Sequence, residues 1–197
     1  MVPLNGPAGD DEQLVLRTRQ GDQEAARALF ERYRESAYRI AYHHLGRAED
    51  ALDVVQEAFI KALTGLDRLR QPERFRSWLL RIVTNQARDL GRRHRRENRL
   101  GLRAPGTDEE AQDARPEAVQ HRTPAQEAEA RELAEGVHLA LEALDEHHRD
   151  VLLLVSQGGL SYREAAEALD IPVGTVMSRL HYARRAMREW LSEHGYL

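Results

Sequence analysis

Arg81, Asn85, Arg88 and Arg92 are separated by four, three and four residues. On an α-helix that spacing gathers them on one face. Guanidinium and carboxamide groups fit base edges and phosphate oxygens through paired hydrogen bonds. The chemistry on offer is recognition of a nucleic acid, with no bond made or broken. Trp78 and Asp89 flank the stripe. The Trp78 indole has two readings, a platform for an unpaired base or a half-buried core ring. Arg92, Arg93, His94, Arg95 and Arg96 carry the basic surface further along the chain.

A second polar set lies between Ser161 and Trp190, in SYREAAEALDIPVGTVMSRLHYARRAMREW. Ser161 and Glu164 have the S-x-x-E spacing of a capping box. Ala165, Ala166 and Leu169 give the helix that follows one apolar side. Asp170 to Gly174 interrupts it, since Pro172 cannot continue a helix. A second helix then puts Val176, Leu180, Ala183, Met187 and Trp190 on a core stripe. Ser178, His181, Tyr182 and Arg185 turn away from that stripe, and Met177, Arg179, Arg184 and Arg188 flank it. Two short helices joined by a tight turn read as a helix-turn-helix, whose second helix can enter a major groove. The alternative is an αα-hairpin that packs on a partner protein.

Other chemistry is missing. There is no Gly-rich phosphate loop, no G-x-S-x-G, no H-E-x-x-H and no C-x-x-C. Cysteine is absent, which excludes disulfides and thiolate metal sites. His43–His44 and His147–His148 are adjacent pairs, and neighbours on a helix point about 100° apart, a poor geometry for sharing a metal. The expectation is no enzyme, no cofactor, no metal and no small-molecule substrate.

The elements that must position these residues read as all-α. Two small helical domains, a bundle and a helix-turn-helix, are joined by a flexible acidic linker. Residues 1–10 read as disordered, 11–97 as the first domain, 98–127 as the linker and 128–197 as the second domain. Asp11 to Arg19 makes a short helix broken at Gly21–Asp22. Ala26, Leu29, Tyr33, Ala37 and Ile40 mark a second helix that ends before Gly46. The third helix is the most regular, with Ala51, Val54, Val55, Ala58, Phe59, Ala62, Leu63 and Leu66 on its stripe and Asp53, Gln56, Glu57 and Lys61 opposite. Gly65 to Ser77 reads as a loop, and Ser77 as the N-cap of a fourth helix. That helix turns Leu79, Ile82, Val83, Gln86 and Leu90 inward. After the linker, Leu133, Val137, Ala140, Leu141 and Leu144 form the next stripe, and a short helix over 147–155 leads to the helix-turn-helix.

Net charge is −4 over 197 residues, yet the average hides a segregation. Residues 68–99 hold 11 Arg against 3 acids, and residues 100–130 hold 7 acids against 3 Arg. Local charge, not the total, selects the partner. Lys61 is the only lysine, which fits an Arg- and Ala-favouring codon bias as well as phosphate binding. No apolar run approaches the roughly 20 residues of a membrane span. The N-terminus lacks the basic-then-apolar pattern of a signal peptide. The expected location is the cytoplasm, with no membrane insertion.

Three stretches together resemble the extracytoplasmic-function (ECF, group 4) sigma factors of the sigma-70 family, over about residues 12–96 and 130–192. DVVQEAFIKAL (53–63) is similar to region 2.2. FRSWLLRIVTNQARDLGRRHRR (75–96) is similar to regions 2.3 and 2.4, and LSYREAAEALDIPVGTVMSRLHYARRAM (160–187) to region 4. The resemblance implies a protein that binds core RNA polymerase and directs promoter recognition, −10 melting and transcription initiation. Asp53, Gln56 and Glu57 would bind the β′ clamp, with β a further contact of the complex. Trp78, Arg81, Asn85, Arg88, Asp89, Arg92 and Arg93 would handle the −10 element, and the loop from Leu66 to Arg76 would capture an extruded base. Thr175, Ser178, Arg179, His181, Tyr182, Arg184 and Arg185 would face the −35 element. The acidic linker would lie in the polymerase's nucleic-acid channel. As a coil it spans about 30 Å, drawn out about 100 Å, against about 70 Å for two turns of duplex between the elements. An anti-sigma factor that occludes both domains is also implied. The chain departs from the family at Met177, where Arg or Lys is usual. Two other readings stay open: a stand-alone helix-turn-helix regulator, and a protein-binding module without DNA contact.

Overall fold

The computed structural model describes residues 8–100 and 123–196, which fall into two compact helical units. No strand occurs among the described residues. The first unit holds α1 (Ala8–Arg19), α2 (Gln23–Leu45), α3 (Ala48–Thr64) and α4 (Phe75–Arg99). Short 3-10 turns at Leu66–Arg68 and Pro72–Arg74 connect α3 to α4.

The α2 helix starts where Asp22 accepts a hydrogen bond from the Ala25 amide at 3.1 Å. This bond and the Arg17 guanidinium hold the Asp22 carboxyl below its ordinary pKa. The helix stops at Gly46, whose φ of 71° is left-handed and whose N–H donates to the Tyr42 carbonyl. α3 packs Ala51, Val54, Val55, Ala58, Phe59 and Ala62 into the core between α2 and α4. Phe59 meets Phe30 edge-on at 4.8 Å between centroids.

Residues 1–7 of the expected disordered segment lie outside the described residues. Ala8 to Asp10 are already helical, because Asp10 and Asp11 both pair with Arg32 on α2. Asp11 is buried and also accepts from the Tyr33 hydroxyl. Burial and that hydrogen bond push the Tyr33 phenol well above its usual pKa.

Ser77 is not the cap of α4. The helix begins at Phe75, and the Ser77 hydroxyl donates back to the Arg74 carbonyl at 3.1 Å. The start is fixed by packing: Phe75 is fully buried against Tyr33 and Trp78. The inner stripe is correspondingly rotated. Phe75, Leu79, Leu80, Val83, Thr84, Ala87 and Gly91 are buried, while Ile82, Gln86 and Leu90 are only half-buried.

The second unit holds α5 (Pro124–Ala143), α6 (Glu146–Ser156), α7 (Tyr162–Leu169) and α8 (Val173–Glu193). Of the expected linker, residues 101–122 lie outside the described residues. α4 continues to Arg99, and α5 begins at Pro124 behind a reciprocal capping box of Thr123 and Gln126. Leu133, expected inside, is exposed; Ala140 and Leu141 of α5 are buried, as is Leu144 just past its end. Buried Arg149 donates to the Glu142 and Leu144 carbonyls at 2.7 and 3.1 Å, satisfying the C-terminal end of α5. On α8, Val176, Leu180, Ala183 and Leu191 are buried. Met187 and Trp190 are half-buried; Trp190 stacks on His194 at 3.8 Å and lies 6.0 Å from Tyr196.

Candidate nucleic-acid interface

In the first unit the outer face of α4 carries the expected residues. Arg81, Asn85, Asp89, Arg92 and Arg93 are exposed, and Arg88 is half-buried. Asp89 and Arg92 lie 3.9 Å apart, a loose surface pair that strands neither charge. Arg95, Arg96 and Arg99 extend the same helix into solvent. Trp78 is half-buried, 6.3 Å from the Phe75 ring. A Cβ on Gly65 would sit 3.5 Å from the indole, so the ring packs under the end of α3. One edge of the ring belongs to the core and part of the ring is accessible.

The connection from Leu66 to Arg74 is anchored at both ends of its first turn. Leu66 and Leu69 are buried. Arg19, at the end of α1, donates through Nε and Nη2 to the Leu66 carbonyl at 3.3 and 2.9 Å, and through Nη2 to the Leu69 carbonyl. Between and beyond these anchors, Arg68, Arg70, Gln71 and Arg74 stand exposed. The role of Arg19 was not legible in the sequence, since its partners lie 47 and 50 residues away.

On α3, Asp53, Gln56 and Glu57 are exposed as expected. Glu57 accepts from the Gln86 carboxamide at 3.2 Å, which ties this face to α4. Two apolar residues near them in the chain are also exposed, and the sequence reading did not single them out. Leu52 and Ile60 are 56% and 57% exposed. They stand eight residues apart, one on each side of the polar trio. Their absence from the regular core stripe was the available signal.

In the second unit the capping box of Ser161 and Glu164 is formed reciprocally, at 3.3 and 2.8 Å. Asp170 takes a left-handed conformation, φ 55°, at the turn. The Pro172 carbonyl then receives the Thr175 and Val176 amides, which starts α8. Ser178, His181, Tyr182, Arg184 and Arg185 are exposed; Thr175 and Arg179 are half-buried. Tyr182 is held in place by His148 of α6 at 4.4 Å between rings, with the Arg185 guanidinium 5.6 Å from its centroid. No group of three or more candidate metal ligands occurs among the described residues. None of the described helices is long and apolar enough to cross a membrane.

Each unit matches a known family. Residues 29–97 match Sigma-70 region 2, and residues 134–187 match Sigma-70, region 4. The chain is 31% identical to the ECF RNA polymerase sigma factor SigW of Bacillus subtilis (strain 168), over 91% of this chain and 95% of that protein. The chain belongs to the extracytoplasmic-function sigma factors. It is 35% identical to the ECF RNA polymerase sigma-E factor of Escherichia coli (strain K12), over 90% of this chain and 92% of that one. Among solved structures it is similar to CnrH in complex with the cytosolic domain of CnrY, with a TM-score of 0.68 and 30% identity, covering 93% and 98% of the two chains. As an ECF sigma factor the chain is a transcription initiation factor that works with RNA polymerase at promoter DNA. The region 2 match falls on the half without the helix-turn-helix, which decides against a stand-alone regulator and a purely protein-binding module.

Proposed function

We propose that the chain is a group 4 member of the sigma-70 family, acts in the cytoplasm, and divides its work between residues 11–97 and 128–197. The first part docks on the β′ clamp through Asp53, Gln56 and Glu57, with Leu52 and Ile60 supplying apolar area around them. It then reads and opens the −10 element with Trp78, Arg81, Asn85, Arg88, Asp89, Arg92 and Arg93. The second part meets duplex −35 DNA with Thr175, Ser178, Arg179, His181, Tyr182, Arg184 and Arg185.

The observation that carries this reading is the placement of the α4 face directly after an anchored, basic connection. Opening a promoter costs a few kcal/mol for each base drawn from the stack. Stacking on an aromatic ring returns about 1 to 3 kcal/mol per base. Arginines along α4 add phosphate contacts and release counterions, a salt-dependent gain. A connection already tied down by Leu66, Leu69 and Arg19 loses little entropy when it receives a base. An anti-sigma factor is the expected regulator, and the similarity to CnrH, a protein solved in complex with the cytosolic domain of CnrY, supports control of the chain by a bound partner protein.

The test is permanganate reactivity of unpaired thymines in holoenzyme–promoter complexes. Wild type is expected to expose thymines at the −10 element. The double variant Asn85→Ala/Arg88→Ala is expected to bind core polymerase normally and leave those thymines protected. Equal reactivity in both would remove α4 from the opening step.

A further inference from the structure

The exposed residues of α8 are mostly polar, and two of the exceptions are large aliphatic side chains. Val173 is 41% exposed and Met177 is 54% exposed. They are four residues apart, so one helical face carries both, and Arg184 falls on the same side seven residues beyond Met177. Single exposed apolar residues are ordinary on a protein surface. Here they stand on the helix that meets duplex DNA. From Val173 to Arg188 the helix holds Arg179, Arg184, Arg185 and Arg188 and no acid, so the surrounding surface matches the charge of a phosphate backbone. Gly174, between the two, has ordinary helical backbone and nothing within 4 Å of where a Cβ would stand. The fold does not demand a glycine there, and its absent side chain lets a neighbouring molecule approach closely.

We infer that Val173 and Met177 read thymine in the −35 element through the 5-methyl group, at positions where a basic residue would read guanine. This rests on the proposed −35 role of α8 and names the base chemistry it recognises. The major-groove edge of a T·A pair is the one that presents a methyl group, and apolar side chains are its match. The thioether of Met177 is flexible and polarisable, suited to covering a methyl at the groove floor. The −35 element of this protein therefore carries a thymine opposite Met177, flanked by pairs contacted by Ser178, Arg179 and Arg184.

The test uses holoenzyme assembled from the full chain and core polymerase. A duplex library randomised across the upstream element is selected against it. The enriched duplex is then remade with 2′-deoxyuridine in place of thymidine, one position at a time, which removes only the methyl. At one or two positions, uracil is expected to weaken wild-type binding about fourfold, the effect of one buried methyl. Met177→Ala is expected to bind the thymine and uracil duplexes equally at one such position. Met177→Arg is expected to shift the selected base there to guanine. Uracil that is tolerated everywhere, or a uracil penalty that survives in both Met177→Ala and Val173→Ala, overturns the inference and leaves the −35 reading standing. A library in which no upstream sequence is enriched overturns the −35 reading itself and the inference with it.

Discussion

Replacing Arg19 by alanine should loosen the connection between α3 and α4 without touching the α4 face. Arg19 serves two carbonyls, those of Leu66 and Leu69, from a half-buried position. A hydrogen bond to a charged group contributes about 1.5 to 3 kcal/mol net. The two acceptors share one guanidinium, and solvent can reach the site once the side chain is gone, so a loss of about 2 to 3 kcal/mol is the expectation. That loss acts on the local opening of residues 66–74. The amides of Arg68 and Leu69 donate to the Gly65 and Leu66 carbonyls at 2.9 and 3.1 Å, and they report on this opening. Their hydrogen exchange should accelerate roughly 30- to 150-fold, since each 1.4 kcal/mol is a factor of ten. Exchange in the middle of α2 should change far less. Arg19→Lys, which keeps the charge but loses the fork, should fall between the two. In transcription assays the alanine variant should bind core polymerase normally and open promoters more slowly. Unchanged exchange at Arg68 and Leu69 would refute the claim that Arg19 orders this connection.

Four further outcomes follow from the same structure. Phe75→Ala removes a fully buried ring at the start of α4 and should cost about 3 to 5 kcal/mol of stability in the first unit, read by thermal or denaturant unfolding. Ser161→Ala breaks the reciprocal capping box of α7 and should cost about 1 kcal/mol in the second unit, measured the same way. Asp22 has a folded pKa depressed below 3.8, so its stabilisation is complete above that value and is lost as pH falls through the folded pKa; the stability gap between wild type and Asp22→Ala should narrow below about pH 4, and a gap constant from pH 6 to 2.5 would contradict the assignment. Leu52→Asp/Ile60→Asp should leave thermal stability within about 0.5 kcal/mol yet weaken core polymerase binding about tenfold or more, as seen in a binding titration.

Much of this arrangement was legible because two signals act locally. The 3.6-residue periodicity of α3 states its buried face outright, since Ala51 to Ala62 has no long-range competitor. The capping box at Ser161 is written within four residues and forms as spelled. The α4 start was not legible, because Ser77 has the side chain of a cap while the decision belongs to Phe75 and its distant partner Tyr33. The inner stripe of α4 was misread with it: Ala87 and Gly91 face α2 in place of the larger Gln86 and Leu90, a choice made by packing between helices distant in sequence. Leu133 shows the converse, an apolar residue at the right period that the described residues of its unit leave exposed. Among site residues, the polar faces could be read from their types. The support from Arg19 and the exposure of Leu52 and Ile60 depend on tertiary placement, which periodicity does not encode.

As a sigma factor this chain confers promoter choice on RNA polymerase. Sigma-free bacterial core polymerase, mixed with the purified protein and sheared DNA from its source genome, tests it most directly by run-off transcription. Discrete transcripts are expected that appear only with the protein and vanish with Asn85→Ala/Arg88→Ala. Salt-sensitive binding to duplex DNA with no association with core polymerase would contradict it.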